Sequence, residues 1–292
     1  RRLGLRAVEA AEAADAKSLQ RGLRHLAECD DPEVLDALDA LLQSDAAEAP
    51  VDNDAAALAL CEEQLSPEHP DVAAILSNMG VIEVDQGQYK AAREHYERAL
   101  AIHRRVLGDD HPSTGGTYMN LGTLLQRTND YDGAAVQYEH ALAVAIGAGS
   151  GDADLADIYY NLGVVYQMRR EYERALAPYR DALARSERVH GPEHPDVAYP
   201  LVGLGGVLVE LGEYDEARAL LERALAIRTR KDVDPVDLGE LRFALARAVA
   251  PVDRDRALVL ASEARSDYSD SGDADTVQVI NTWLKGQLKR ER

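Results

Sequence analysis

Histidine is the residue type in this chain best suited to metal binding or proton transfer, and eight histidines are present. None of them forms the His-Glu-x-x-His pattern that places two metal ligands and a general base on one face of a helix. Three stand directly before a proline, at a position where a helix is predicted to begin: His69, His111 and His194. Three more lie inside predicted helices: His95, His103 and His140. We therefore interpret the histidines as structural, and the sequence predicts no metal site.

Glycine-rich segments are the second place where chemistry is expected, because backbone amides in such loops can hold phosphate. Residues 147–151 read Gly-Ala-Gly-Ser-Gly and are followed by Asp152 and Asp154. This segment lacks the lysine of a phosphate-binding loop and also the spacing and final glutamate of an EF-hand loop. Neither a nucleophile elbow nor a protein-kinase signature occurs in the sequence. The sequence thus predicts no catalytic residue and no cofactor.

Composition and charge narrow the function classes further. The 292 residues include 32 basic and 52 acidic side chains, a net charge of −20, which disfavours nucleic-acid binding. No apolar run of about 18 residues is present, so no membrane contact is predicted. Cys29 and Cys61 are the only cysteines, and this number favours a reducing, cytoplasmic setting. The chain opens with Arg1-Arg2 rather than Met, which predicts a segment of a longer polypeptide.

An internal repeat with a period of about 42 residues organises the chain. Its most regular segment ends in glycine and occurs four times, at intervals of 42, 41 and 42 residues: Asn78-Met-Gly80, Asn120-Leu-Gly122, Asn161-Leu-Gly163 and Gly203-Leu-Gly205. Nine residues after each final glycine stands a tyrosine: Tyr89, Tyr131, Tyr172 and Tyr214. Internal repetition at this period is typical of solenoids built from stacked supersecondary units.

Each repeat predicts two helices, which we call helix A and helix B. In helix B of one repeat, Ala92, Tyr96, Ala99 and Leu100 fall on a single apolar stripe. Small residues such as Gly80 in helix A and Ala92 in helix B are expected to let the paired helices approach closely. Neither helix can bury its stripe alone, so neighbouring hairpins must stack to complete a core. The predicted fold class is therefore all-α.

The repeat register divides the chain into three parts. Residues 1–31 are predicted to form an N-terminal helical segment outside the register. Residues 32–233 form the repeat array, with a degenerate first repeat at 32–66 and regular repeats at 67–233. Residues 234–292 are predicted to hold a degenerate repeat and a C-terminal capping helix. The alternative for that last helix is a role in docking a partner.

These residues resemble the tetratricopeptide repeat, in which helix A carries a small residue and helix B carries alanine, an aromatic residue and alanine. The usual period is about 34 residues, and the longer period of this chain resembles the repeats of kinesin light chains. The resemblance implies a right-handed superhelical solenoid of antiparallel helix hairpins, with helix A lining its inner surface. Residues 238–248 and 254–264 also resemble repeats that follow the kinase domain in some bacterial serine/threonine kinases.

The same resemblance implies that a peptide lies in the inner groove and is held by asparagines of helix A. The matching positions are Asn78, Asn120 and Asn161. An amide side chain offers both a donor and an acceptor to a peptide backbone. The alternative is that these asparagines tie neighbouring helices together. Further groove positions implied by the resemblance are Thr123, Gln126, Arg127, Tyr160 and Gln167.

The sequence therefore predicts a non-catalytic scaffold that binds a peptide or protein segment. Acidic surroundings favour a neutral or basic ligand. A narrower hypothesis is the regulatory or recruiting region of a bacterial serine/threonine kinase. The alternatives are a self-assembling structural solenoid and an enzyme with an unrecognised site; the oligomeric state is not predicted.

Overall fold

The computed structural model describes residues 58–59, 62, 65–229 and 234–289, and every regular element in these ranges is helical. The predicted helical segment 1–31, nearly all of the degenerate repeat at 32–66, and both cysteines lie outside the described residues. The chain divides into two compact units, residues 1–149 and 150–292. The division falls in the glycine-rich segment 147–151, which is consistent with a connecting role for that segment.

The described part of the first unit consists of two helix hairpins. The helices are α1 (Pro70–Asp85), α2 (Tyr89–Val106), α3 (Pro112–Arg127) and α4 (Tyr131–Gly147). Helix α1 pairs with α2 and α3 pairs with α4, and the second hairpin packs on the first through α2 and α3. The core is apolar and includes Leu76, Tyr96, Leu124 and Tyr138, all at most 2% exposed.

The second unit holds three hairpins and one further helix. The helices are α5 (Asp152–Met168), α6 (Tyr172–His190), α7 (Ala198–Leu211), α8 (Tyr214–Arg228), α9 (Pro235–Val249), α10 (Arg254–Ser271) and α11 (Ala274–Lys289), with a 3₁₀ turn at Pro195–Val197. Helix α7 contacts α5, α6 and α9, so the first helices of the three hairpins are neighbours. Helix α11 packs against α10 and buries Ile280 and Leu284.

Three helix starts are set by a histidine and a proline in succession. The Nδ1 atom of His69 accepts the backbone N–H of Asp71 at 3.3 Å, and His111 accepts that of Ser113 at 3.2 Å. His194 does the same for Asp196 at 3.3 Å. The proline that follows each histidine has no N–H to leave unsatisfied in the first turn. These histidines are N-caps, which explains why the residue recurs at that position.

The turns inside the hairpins recur as regularly as the helices. Gly87, Asn129, Arg170 and Gly212 stand at the same position of successive repeats and have φ angles of 75°, 61°, 60° and 83°. This left-handed conformation is easy for glycine, tolerated by asparagine and unfavourable for arginine. It reverses the chain so that helix B folds back along helix A.

The paired helices are held close by a glycine under an aromatic ring. A Cβ atom at Gly80 would lie 2.4 Å from the Tyr96 ring, and one at Gly122 would lie 2.6 Å from the Tyr138 ring. The sequence analysis matched Gly80 with the small residue Ala92. The structure shows instead that the space above the glycine is filled by the tyrosine four residues beyond that alanine.

Candidate functional site

The eight predicted groove residues are divided between the two units. Those of the first unit lie on α1 and α3: Asn78, Asn120, Thr123, Gln126 and Arg127. Asn78 is exposed and Asn120 is half-buried. Within the described part of the chain, neither of their amide groups makes a hydrogen bond. Both amides therefore retain a donor and an acceptor for a ligand.

Thr123 and Gln126 are brought together by the buried tyrosine of the next helix. The hydroxyl of Tyr138 donates a hydrogen bond to Oε1 of Gln126 at 3.0 Å and lies 3.2 Å from the Thr123 hydroxyl. Burial raises the pKa of Tyr138 to about 12, so this hydroxyl stays protonated and remains a donor. The two residues thus hold the hairpin together in addition to any contact with a ligand.

Arg127 is the one positively charged residue among the eight predicted groove residues. Its guanidinium lies 3.6 Å from the carboxylate of Asp85, and both side chains are about half exposed. An acidic ligand group would therefore compete with an acidic residue of the protein itself. This pairing lowers the attraction of the first unit for carboxylates.

The remaining predicted residues lie on α5 of the second unit: Tyr160, Asn161 and Gln167. Asn161 is half-buried, and its amide makes no hydrogen bond to any described residue. Oε1 of Gln167 accepts the hydroxyl of Tyr179 at 2.6 Å, which repeats the arrangement of Gln126. The Tyr160 ring meets the rings of Tyr179 and Tyr199 edge-on, with centroids 6.0 and 6.3 Å apart.

A polar group beside Tyr160 was missed by the sequence analysis. Arg228, at the end of α8, is 6% exposed, and its guanidinium lies 4.9 Å from the ring centre of Tyr199. Arg228 also donates to the backbone oxygen of Asp237 at 2.7 Å, with the Asp237 carboxylate at 3.7 Å. The Tyr199 hydroxyl points to the same carboxylate at 3.4 Å. No sequence signal linked these residues, because they come from three different helices.

Glu240 on α9 completes this group. The residue as a whole is exposed, although neighbouring groups surround its carboxylate, and within the described residues it has neither a hydrogen bond nor an ion pair. Loss of water around the carboxylate raises the pKa of Glu240, the charge of Arg228 opposes that rise, and Asp237 adds to it. Burial is the main cause that raises the pKa of Tyr160 to about 12, and the negative charge of Glu240 adds to this rise. Glu240 therefore faces the tyrosine and arginine without being bonded to either.

Two glycines of α7, Gly203 and Gly206, face side chains of the preceding hairpin. A Cβ atom at Gly206 would come no closer than 3.6 Å to any neighbour, which is Nε2 of Gln167. Gly203 replaces the asparagine of the other repeats, and a Cβ there would lie 2.4 Å from the Tyr179 ring. The backbone of α7 is consequently accessible beside Gln167.

One group of potential metal ligands occurs in the described ranges: His190, His194 and Asp196. All three are at least partly exposed, and the two histidine rings stack with centroids 4.7 Å apart. The His194 nitrogen nearest to the Asp196 carboxylate is Nδ1, which already accepts a backbone N–H as the N-cap. Capping thus uses the nitrogen that such a site would need.

None of the helices that the structure describes is long and apolar enough to cross a membrane. A profile for the tetratricopeptide repeat matches residues 51–103, 71–146 and 154–230. Among curated proteins no match is found.

Three solved structures show the same fold. BtubC (BKLC) from P. vanneervenii is 24% identical with a TM-score of 0.62, covering 83% of this chain and 93% of that one. A protein from Podosopora anserina with nearly identical kinesin-light-chain TPR-like repeats is 23% identical with a TM-score of 0.53, covering 62% and 86%. YrrB, a TPR protein with an unusual peptide-binding site, is 17% identical with a TM-score of 0.52, covering 73% and 93%. The predicted all-α repeat of helix hairpins is confirmed.

Proposed function

The chain belongs to the tetratricopeptide repeat family, whose repeats are scaffolds for protein–protein interaction, and we propose that it binds an extended peptide segment of a partner protein. The observation that carries this proposal is the state of Asn120 and Asn161. Both lie on helix A, both are half-buried, and neither amide has a hydrogen-bond partner among the described residues. A peptide backbone supplies the donor and the acceptor that such amides lack.

The neighbouring amides support this assignment by contrast. Gln126 and Gln167, on the same two helices, each accept a tyrosine hydroxyl from helix B. The side-chain oxygens of these two glutamines are therefore already used in hydrogen bonds that join helix A to helix B. Asn120 and Asn161 make no such internal bond, which favours the ligand-binding alternative over the helix-tying alternative for these two residues.

We propose that the protein acts without catalysis. Five tyrosines in the described ranges have a strongly raised pKa, and burial in the helix packing is the main cause for each: Tyr96, Tyr138, Tyr160, Tyr179 and Tyr268. A raised pKa keeps a tyrosine neutral and makes it a poorer base or nucleophile at neutral pH. These shifts therefore reflect packing rather than acid–base chemistry.

The charge of the chain supports a particular class of partner. A net charge of −20 attracts basic segments, does not repel neutral ones and repels phosphate backbones, so we propose a protein ligand rather than a nucleic acid. A cytoplasmic location and a link to a bacterial serine/threonine kinase stay predictions from the sequence. The reading frame upstream of Arg1 tests the kinase link, because a kinase domain must be encoded there.

The test begins with a random dodecapeptide phage library selected on the whole chain. Binding of the enriched peptides is then measured by fluorescence anisotropy with Asn120→Ala, Asn161→Ala and the control Gln137→Ala, which lies on the helix B of the first unit. Loss of one net hydrogen bond should weaken binding about 3- to 10-fold in whichever asparagine variant lines the peptide, with unchanged helicity. Unchanged binding in both asparagine variants, or no enriched peptide at all, would contradict the proposal. Light scattering on the same sample tests the alternative of self-assembly.

A further inference from the structure

Four side chains of the second unit form a surface of distinct chemistry: Tyr160 on α5, Tyr199 on α7, and Asp237 and Glu240 on α9. We call it the tyrosine–carboxylate surface. We propose that this surface binds the guanidinium group of an arginine in the partner peptide. The inference rests on the proposed peptide-binding function and specifies the chemistry of one ligand residue.

The two tyrosines provide the aromatic part of the surface. Their rings meet edge-on at 6.3 Å, and Tyr199 remains 44% exposed. A guanidinium group already lies 4.9 Å from the Tyr199 ring centre, that of Arg228. Tyrosine faces attract such cations through the quadrupole of the ring. The contact between Arg228 and Tyr199 thus shows that this ring can pack against a guanidinium group.

The two carboxylates have different roles. Asp237 is engaged, since its carboxylate faces both Arg228 at 3.7 Å and the Tyr199 hydroxyl at 3.4 Å. Glu240 is exposed and is bonded to none of the described residues. Arg228, the buried cation of this group, is paired with Asp237, and the carboxylate of Glu240 has no ion-pair partner among the described residues.

Further acidic side chains lie near this surface. The negative charge of Asp196, at the start of the α7 segment, reaches Tyr199 and also Asp157 on α5. Burial raises the pKa of Asp157, and nearby Asp154 and Asp196 raise it further. A cationic side chain would relieve this repulsion, whereas an acidic or phosphorylated peptide would increase it.

The combination of aromatic rings and carboxylates favours arginine over lysine. A planar guanidinium can stack on a tyrosine ring and present two parallel N–H groups to the carboxylate of Glu240. On the same helix as Tyr199, half-buried Gly206 has no side chain to obstruct a ligand, and an added Cβ there would meet no atom closer than 3.6 Å. An ammonium group offers the charge without the stacking surface or the paired donors.

The experiment selects the same dodecapeptide library on the parent chain, on Glu240→Gln and on the control Glu173→Gln, which removes an exposed carboxylate from α6 of the same unit. Peptides selected by the parent and by Glu173→Gln should be enriched in arginine, and those selected by Glu240→Gln should not. Replacing that arginine by citrulline, which keeps the shape and removes the charge, should weaken binding to the parent about 10-fold or more. The same replacement should have little effect on binding to Glu240→Gln.

The outcomes separate this inference from the proposed function. Peptides that bind without an enriched arginine, or that respond equally to citrulline in the parent and in Glu240→Gln, overturn the arginine site and leave peptide binding standing. Enrichment of lysine and arginine alike would show recognition of charge without the stacked geometry and would overturn the preference for arginine. Failure to enrich any peptide overturns both.

Discussion

A Cβ atom at Gly203 would lie 2.4 Å from Cε1 of Tyr179, so a tyrosine of one hairpin occupies the space that a side chain would need on the next hairpin. The same ring also contacts Gly163, where a Cβ would lie 2.7 Å from Cδ1 of Tyr179. Tyr179 is only 1% exposed, so its ring has no room to move aside. Two glycines of different repeats are therefore fixed by one buried tyrosine.

Substitution of this glycine should destabilise the second unit. In Gly203→Ala the added methyl group overlaps the ring, and overpacking of this kind costs about 1–3 kcal/mol, more than the gain in helix propensity of about 1 kcal/mol. We expect a lower urea midpoint for unfolding measured by circular dichroism at 222 nm.

Gly206 supplies the matched control, because it is three residues further along the same helix and its Cβ would meet no atom closer than 3.6 Å. Gly206→Ala should leave stability unchanged or raise it by up to about 1 kcal/mol. Equal loss of stability in the two variants would show that the ring of Tyr179 does not set the requirement for glycine.

The hydrogen bond between Tyr179 and Gln167 should contribute measurably to stability. Its length is 2.6 Å, and Tyr179→Phe removes the donor while keeping the ring in place. We expect a loss of about 0.5–1.5 kcal/mol in urea unfolding, and a smaller additional loss when Tyr179→Phe is combined with Gln167→Leu. The exposed Tyr214→Phe is the control and should leave the midpoint unchanged. Full additivity in the double variant would indicate that the two residues are not coupled.

His103 should make stability depend on pH. The residue is 4% exposed, and its Nδ1 lies 2.9 Å from the Thr117 hydroxyl. Burial lowers the pKa of His103, nearby His111 lowers it further, and a backbone hydrogen bond with Pro70 opposes the shift. The folded state therefore favours neutral histidine, and its stabilising effect is complete above the unfolded pKa of about 6.5 and declines as the pH falls.

Comparison with His103→Gln isolates this contribution. The difference in unfolding free energy between the parent and the variant should be largest near pH 7.5 and should shrink towards about pH 5.5. Urea unfolding at several pH values measures it. A difference that stays constant over this range would exclude protonation of His103 as the cause.

Asp152 should also make stability depend on pH, through a lowered pKa of its carboxyl group and in a more acidic range than His103. It begins α5, and its carboxylate is held by Arg185 at 2.5 Å and by Arg188 at 2.8 Å. Hydrogen bonding to Arg188 is the main cause that lowers the pKa of Asp152 to about 2. The stabilising effect is present above the unfolded pKa of about 3.9 and is lost between about pH 4 and pH 2.

Asp152→Asn should therefore lower the thermal midpoint at neutral pH and remove part of the fall in stability between about pH 4 and pH 2. The effect should be modest because these side chains are partly exposed. Asp154→Asn, in the same helical turn, keeps both arginine contacts and serves as the control. Thermal melts across this pH range give the comparison, and identical curves for the two variants would argue against a role for the arginine pairs.

The sequence by itself determined the helices of the regular repeats, their pairing and the places where three of them begin. The interval of 41 or 42 residues, the apolar stripe through Tyr96 and the repeated His-Pro pairs are local features, and each was followed by the helix or hairpin that it predicted. Local features suffice here because each hairpin is one repeat and packs mainly on its neighbours in the chain. The asparagines of the groove were assigned by the resemblance and stay a prediction.

Only the tertiary structure decided which polar side chains form hydrogen bonds or ion pairs within the protein. Gln126 and Gln167 accept tyrosine hydroxyls, and Arg127 faces Asp85, although all three looked like groove residues in the sequence. The tyrosine–carboxylate surface also has no linear signature, since its members come from α5, α7 and α9. The physical reason is that helical periodicity reports which face of a helix is buried, whereas a hydrogen bond or ion pair depends on a second side chain that packing brings from elsewhere in the chain.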